Sequence, residues 1–236
     1  MASAVIFDWF GTLARWAHPE PSNYVSVLRD LGFDPDQGVI DKYLVTWDGI
    51  DHREHSASRD TYLAWTRVRL GTLTAACGVS AAEQHAVVAA LLESDRDESM
   101  VVFPEVLGVV QELRRRGLAI AVCSNWGWDL QPFLEATSVA PLLDVAVTSA
   151  QAGFRKPHPG IYEHTLARLD TKPGEAVFVG DSWAPDILGP VSVGMSAVHI
   201  ARDPNETTPE LVAGAHRIGD LRELLTMSAI AGNMPA

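Results

Sequence analysis

The sequence predicts an α/β fold: an open, mostly parallel sheet with a helical insert after its first strand. Three observations carry this expectation. Five short apolar runs are each too brief for a helix, and each runs into Gly, Asp, Ser or Asn. Helical patterns alternate with these runs in the second half of the chain. One long interval, from Ala14 to about Val102, shows helical periodicity but holds no convincing buried-strand run.

Taken in order, Val5–Phe7 is the first strand and ends on Asp8. The insert, residues 15–102, carries helical patterns at Tyr24–Leu31, Val39–Trp47, Asp60–Ala76 and Ala81–Glu93. A structureless loop of that length would be out of place in a compact domain, so the interval reads as a small helical cap on two short linkers, near Ala14–Pro19 and Arg96–Phe103. Pro104–Arg116 sets Val106, Leu107, Val110 and Leu113 on one face and stops at Gly117, as a helix does. Strands follow at Leu118–Cys123, Val145–Thr148, Ala176–Val179 and Ala197–Ile200. Helices at Pro157–Leu169 and Pro185–Val193 fill the later gaps, and Asp220–Met227 closes a core of residues 1–14 and 103–227. Residues 228–236 read as a flexible tail.

Composition narrows the partners. The chain has 236 residues, 47% hydrophobic and 20% charged, with a formal charge of −12. That balance argues against nucleic acid or an anionic membrane, which need basic footprints. No apolar run approaches the ~20 residues needed to span a bilayer. The amino terminus enters a strand without a basic leader segment, which predicts a cytoplasmic protein. Cys77 and Cys123 lack metal-ligand spacing and read as reduced thiols. A monomer and a homodimer are both compatible with this composition.

In a parallel sheet the chemistry gathers at the carboxyl ends of the strands. Four such ends carry polar residues here. They are Asp8-Trp9-Phe10-Gly11-Thr12, Ser124-Asn125, Arg155-Lys156-Pro157, and the run VGDSWAPD holding Asp181 and Asp186. Each type suits phosphoryl transfer. A carboxylate attacks phosphorus. Acids and a carbonyl oxygen suit Mg²⁺. A hydroxyl and a lysine hold phosphoryl oxygens as charge builds.

These four segments, in order and on their expected strands, resemble the four motifs of the haloacid dehalogenase superfamily, from Val5 to about Met195. The insert resembles the helical cap of the branch that includes 2-haloacid dehalogenases, phosphoglycolate phosphatases and β-phosphoglucomutases. The resemblance implies a Rossmann-like core and a hydrolase of small phosphate monoesters. It implies Asp8 as nucleophile and metal ligand, with the Phe10 backbone carbonyl as a second ligand. Thr12 would support the loop, Ser124 bind the transferring group with Asn125 beside it, and Lys156 steady the charge. Asp181 would bind Mg²⁺, with Asp186 acting directly or through water.

Phe10 departs from the pattern. Phosphatases of this family carry a second aspartate there, a general acid worth roughly 10²–10⁴ in rate. Three readings stay open. The chain is a phosphatase whose proton comes from elsewhere, with Asp48, Asp51, His52, Glu54 and His55 of the insert as candidates. It is a metal-independent 2-haloacid dehalogenase, a reading that the KPHPGIY spacing of Lys156 and Tyr162 supports, with Arg29 as halide-binding candidate. Or it binds a ligand without efficient turnover. Asp181 and Asp186 favour the phosphatase, because they make sense beside Asp8 only around a cation. Trp9, Trp126 and Trp183 flank the motifs and are candidates for a pocket wall, with core packing as the plainer alternative.

Overall fold

In the computed structural model, which describes residues 1–17, 24–46, 51–94, 99–205 and 207–231, the first strand, β1 (Ala4–Phe7), is buried along its whole length. Its alternation divides the core. Val5 and Phe7 face one hydrophobic layer, while Ala4 and Ile6 face another. Each fully buried side chain of this size stabilises the fold by about 1.5–3 kcal/mol.

The chain then leaves the sheet. A short strand β2 (Ala14–Trp16) pairs antiparallel with β3 (Met100–Val102), so the two linkers into and out of the insert run side by side. Between them lie α1 (Tyr24–Asp30), α2 (Gln37–Thr46), α3 (Arg59–Ala76) and α4 (Gln84–Ser94). Leu28, Ile40, Leu70, Leu73, Val87 and Leu91 belong to a hydrophobic cluster drawn entirely from this insert. The Ser58 side chain accepts the Thr61 N–H and caps α3, a contact worth about 1 kcal/mol.

After the insert, α5 (Val106–Arg115) buries Val106, Val109, Val110 and Leu113 against the sheet. Next come β4 (Ala119–Ser124), α6 (Gln131–Ala136), β5 (Val145–Thr148), the single turn α7 (Ser149–Ala152), α8 (Pro159–Arg168) and β6 (Ala176–Gly180). The expected helix over Pro185–Val193 is instead a π-helical turn, Trp183–Leu188, followed by α9 (Gly189–Ser192). Pro185 and Pro190 each remove a backbone donor that a regular helix would use.

The sheet closes with β7 (Ser196–Ile200) and β8 (Ala215–Ile218), a strand the apolar pattern did not reveal. The order is β5-β4-β1-β6-β7-β8, all parallel. Strands are added to one side of β1 up to β5 and to the other side from β6, so the switch point lies at the end of β1. The final 3₁₀ segment, Leu221–Thr226, starts with a capping box between Asp220 and Glu223. The segment expected as a flexible tail begins with a helical turn, α10 (Ser228–Ala231), whose Ile230 is fully buried. Residues 232–236 lie outside the described residues.

Candidate active site

Strand register sets the first layer of the site. Phe7 pairs with Val122 on β4 and with Val179 on β6. One residue further, Asp8 stands level with Cys123 and Gly180, so Ser124 and Asp181 each lie one step beyond it. The Asp8 N–H donates to Val179 O at 2.9 Å, which extends the ladder past the strand and fixes where its side chain emerges.

The carboxylates of Asp8, Asp181 and Asp186 each offer an oxygen within 4.8 Å of the others. Two glycines make room for them. Gly11, at φ +83°, has no Cβ where one would stand 2.6 Å from the Asp181 carboxyl carbon. A Cβ on Gly180 would overlap the Asp186 carboxyl group. The Thr12 hydroxyl, fully buried, donates to Asp181 Oδ1 at 2.9 Å.

Lys156 joins the acids. Its ammonium donates to Asp8 Oδ1 at 2.8 Å and to Asp186 Oδ1 at 2.6 Å, with its side chain only 2% exposed. Asp186 uses its other oxygen to accept the Ser182 N–H at 2.9 Å. Asn125 sets the lysine's backbone: its amide oxygen accepts the Lys156 N–H at 2.7 Å and its amide nitrogen donates to Lys156 O at 3.0 Å. The Tyr162 hydroxyl, buried, donates to Pro185 O and holds the turn that carries Asp186.

Electrostatics follow from this crowding. Burial alone would favour a neutral lysine, but Asp186 and Asp8 outweigh it and hold Lys156 above its ordinary value, fully charged. Burial, then the neighbouring Asp8 charge, raise Asp181. Burial also raises Asp186, against the pull of Lys156. Asp8 and Asp186 thus share one ammonium, and the half-buried Asp181 adds a third acid beside them. The all-oxygen donor set and the surplus of negative charge fit a hard divalent cation such as Mg²⁺.

The tryptophans divide. Trp9 is corrected: it is fully buried in the core, donating its indole N–H to Met100 Sδ at 3.1 Å, and lines no pocket. Trp126 is half-buried between Trp16 and Phe133, with ring centres at 5.9 and 5.4 Å. Trp16 in turn meets Phe10, which is 41% exposed, at 5.3 Å. Trp183 packs edge-on to His199 at 5.6 Å.

The insert's candidate acids are largely committed. Asp51 is paired with Arg53, whose guanidinium draws it down to about 2. His52 is buried, its Nε2–H donating to Ser149 O at 3.0 Å. His55 stacks on Trp65 and pairs with the exposed Glu54. Asp48 lies outside the described residues. Arg29 is exposed on α1.

Two residues at this edge carried no motif. His199 Nδ1 accepts from Arg217 Nε at 3.2 Å, which leaves its Nε2–H to donate to Asp181 O at 3.0 Å. Arg202 reaches the backbone of Gly11 and Thr12. Both stand at or just past the end of β7, so the strand-end rule applied to every strand would have found them.

Comparison with known proteins adds the following. A family model described as haloacid dehalogenase-like hydrolase matches residues 2–194. A ribulose-1,5-bisphosphate 5-phosphatase of Halopiger xanaduensis is 30% identical over 214 residues, 87% of this chain and 87% of that protein. An (S)-2-haloacid dehalogenase 4A of Burkholderia cepacia is 28% identical over 134 residues, 56% of this chain and 57% of that one. The crystal structure of a HAD phosphatase from Thermococcus onnurineus superposes with a TM-score of 0.63 at 24% identity, covering 96% of this chain and 97% of that one.

Proposed function

Because the chain belongs to the haloacid dehalogenase-like hydrolases, we propose that this hydrolase is an Mg²⁺-dependent phosphatase of small phosphate monoesters. The observation that carries the reading is the cluster of buried Asp8 and Asp186, which share the Lys156 ammonium, with the half-buried Asp181 beside them. A halide-displacing enzyme must hold a substrate carboxylate, and surplus negative charge at the same spot opposes that.

Asp8 is the nucleophile. One of its oxygens forms a bond to phosphorus as the ester P–O bond breaks, giving phospho-Asp8 and an alkoxide or phenolate that takes its proton from solvent water. Water then attacks the same phosphorus, releases phosphate and restores the Asp8 carboxylate. Lys156 orients Asp8 and offsets charge on the phosphoryl oxygens, aided by the Ser124 hydroxyl. Mg²⁺, when bound, neutralises the phosphoryl charge; Asp8, Asp181 and the Phe10 carbonyl would hold it, with Asp186 behind them anchoring Lys156. Thr12 steadies Asp181, and Asn125 steadies Lys156. Trp126, with Trp16 and Phe10, forms an apolar flank for the substrate's organic part, and the helical insert (residues 15–102) serves as a cap over the core of residues 1–14 and 103–227.

Phe10 supplies no proton to the leaving oxygen, so activity is greatest on esters of acidic alcohols. The second reading, 2-haloacid dehalogenation, draws on that same residue, since halide leaves without a proton. One assay separates the two. Phosphate release from 4-nitrophenyl phosphate is followed with Mg²⁺ and with EDTA, beside chloride release from 2-chloropropionate. The proposal expects phosphate release that stops with EDTA and with Asp8→Asn. Chloride release unaffected by EDTA, with no phosphate release, refutes it.

A further inference from the structure

Arg202, two residues past the end of β7, has no part in the steps above, yet its guanidinium makes three hydrogen bonds. Nη2 donates to Thr12 O at 2.7 Å and Nε donates to Gly11 O at 3.3 Å. Nη1 pairs with Glu105 Oε1 at 2.7 Å, and Cζ lies 3.5 Å from the centre of the Phe103 ring. The Glu105 side chain is 4% exposed and that of Arg202 22%. A charge pair drawn this far from water is costly unless its remaining donors are satisfied. Here two of those donors go to carbonyls of one turn.

That turn matters. It follows Phe10 directly, presses the Cα of Gly11 against the Asp181 carboxylate, and carries the Thr12 hydroxyl that binds Asp181. The other anchors, Phe103 and Glu105, lie just after β3, where the chain returns from the insert. The Phe103 N–H also donates to Leu13 O at 3.0 Å, so the two chain segments already touch.

We infer that Arg202 is a positioning residue for the candidate active site. It locks the Gly11–Thr12 turn so that the Thr12 hydroxyl holds Asp181 in its place beside Asp8, and it ties the turn to the strand returning from the insert. The planar guanidinium serves two carbonyls and a carboxylate at once, which a lysine ammonium on a flexible stem cannot do in the same geometry. The metal-directed part of this inference rests on the phosphatase reading; the locking of the turn does not.

The test compares wild type, Arg202→Met and Arg202→Lys. Met keeps an apolar stem over Phe103 and removes every donor. Mg²⁺ affinity is measured by calorimetry, kcat and KM with 4-nitrophenyl phosphate, and backbone hydrogen exchange by mass spectrometry. For Arg202→Met we expect Mg²⁺ affinity to fall roughly 10- to 100-fold, the range seen when residues behind metal ligands are removed. At saturating Mg²⁺, kcat falls while KM changes little, and exchange quickens over residues 10–14 while the rest of β1 stays protected. Arg202→Lys recovers part of each. Unchanged Mg²⁺ affinity and unchanged exchange in residues 10–14 overturn the inference, as does a uniform loss of protection with affinity intact. Should Arg202→Met not fold, Arg202→Lys decides: wild-type affinity and exchange overturn it, and an intermediate loss of both supports it. If wild type itself binds no Mg²⁺, the phosphatase reading fails, and selective exchange at residues 10–14 alone upholds or overturns the locking role.

Discussion

Replacing Lys156 with methionine removes the single positive charge from the acid cluster and leaves the volume nearly intact. In the native site that ammonium stands 2.8 Å from Asp8 and 2.6 Å from Asp186, and its side chain is 2% exposed. Breaking a buried pair by deleting one partner costs about 3–5 kcal/mol, because the remaining charges stay in place without compensation. For a chain of this size each kcal/mol moves Tm by about 2–4 °C, so Lys156→Met should melt roughly 6–20 °C lower in EDTA.

The pH dependence gives a second readout of the same variant. Burial already holds Asp181 and Asp186 above the ordinary 3.8, and losing the ammonium pushes both further up. A carboxyl whose folded value is raised contributes stability that is fully present below the unfolded value and is lost as pH rises through the folded one. Wild-type Lys156 is held above 10.5, so its own contribution stays constant through neutral pH. The deficit of Lys156→Met is therefore largest at alkaline pH and shrinks as pH falls toward the ordinary carboxylate range. Mg²⁺ should stabilise the variant more than wild type, since it enters a more negative site. Urea melts in EDTA and in Mg²⁺ across this pH range measure both effects. A deficit below about 1 kcal/mol at pH 8, or one that grows on acidification, refutes the account of the cluster.

Three further outcomes follow from named contacts. Gly11→Ala places a Cβ 2.6 Å from the Asp181 carboxyl carbon at φ +83°, so it should destabilise by about 1–3 kcal/mol and lower phosphatase activity, read by urea melts and phosphate release. Phe10→Asp puts a carboxyl two residues after Asp8, and the ratio of glycerol phosphate to 4-nitrophenyl phosphate turnover should rise by roughly 10²-fold or more; an unchanged ratio means the acid is supplied from another place. Glu112, hydrogen-bonded first by Arg115 and then by Arg116, is drawn down to about 2 from the ordinary 4.5. Its stabilising contribution is therefore present above 4.5 and lost as pH falls toward 2, and Glu112→Gln should flatten the acid limb of a melting curve in that window.

The strands that were legible in the sequence are the ones buried on both faces. β1 and β6 are apolar throughout because helices cover both sides of the sheet at its centre. β8 was not legible, since an edge strand reading AHRI keeps polar residues on its exposed positions. β2 and β3 were missed for a different reason. Three residues each, with Arg15 and Trp16 among them, carry no periodicity, and only their mutual pairing makes them strands. The acid cluster was legible because register converts strand ends into neighbours: Asp8 and Asp181 end adjacent strands, and Asp186 meets them from the turn after β6. Neighbours along an extended segment take opposite sides of the pleat. For that reason Trp9, next to Asp8, went into the core with Val5 and Phe7, whereas Trp16, four residues past Thr12, joined the aromatic run with Phe10 and Trp126.

Asp186 shows most clearly how the parts of the site depend on one another. Its two oxygens meet Lys156 and the Ser182 N–H, and it occupies the volume that a side chain on Gly180 would need. The π-helical turn that delivers it is held by the Tyr162 hydroxyl at Pro185 O, and Gly189 leaves the space that the tyrosine ring enters. A regular helix from Trp183 onward would have presented different side chains to Lys156, because its turn has fewer residues. The prolines that spoil the regular helix are thus consistent with the site's needs: an irregular turn carries an acid under the lysine, and the lysine in turn orients Asp8. On the phosphatase reading Asp186 anchors Lys156 beneath the cluster, while Asp8 and Asp181 would hold the cation.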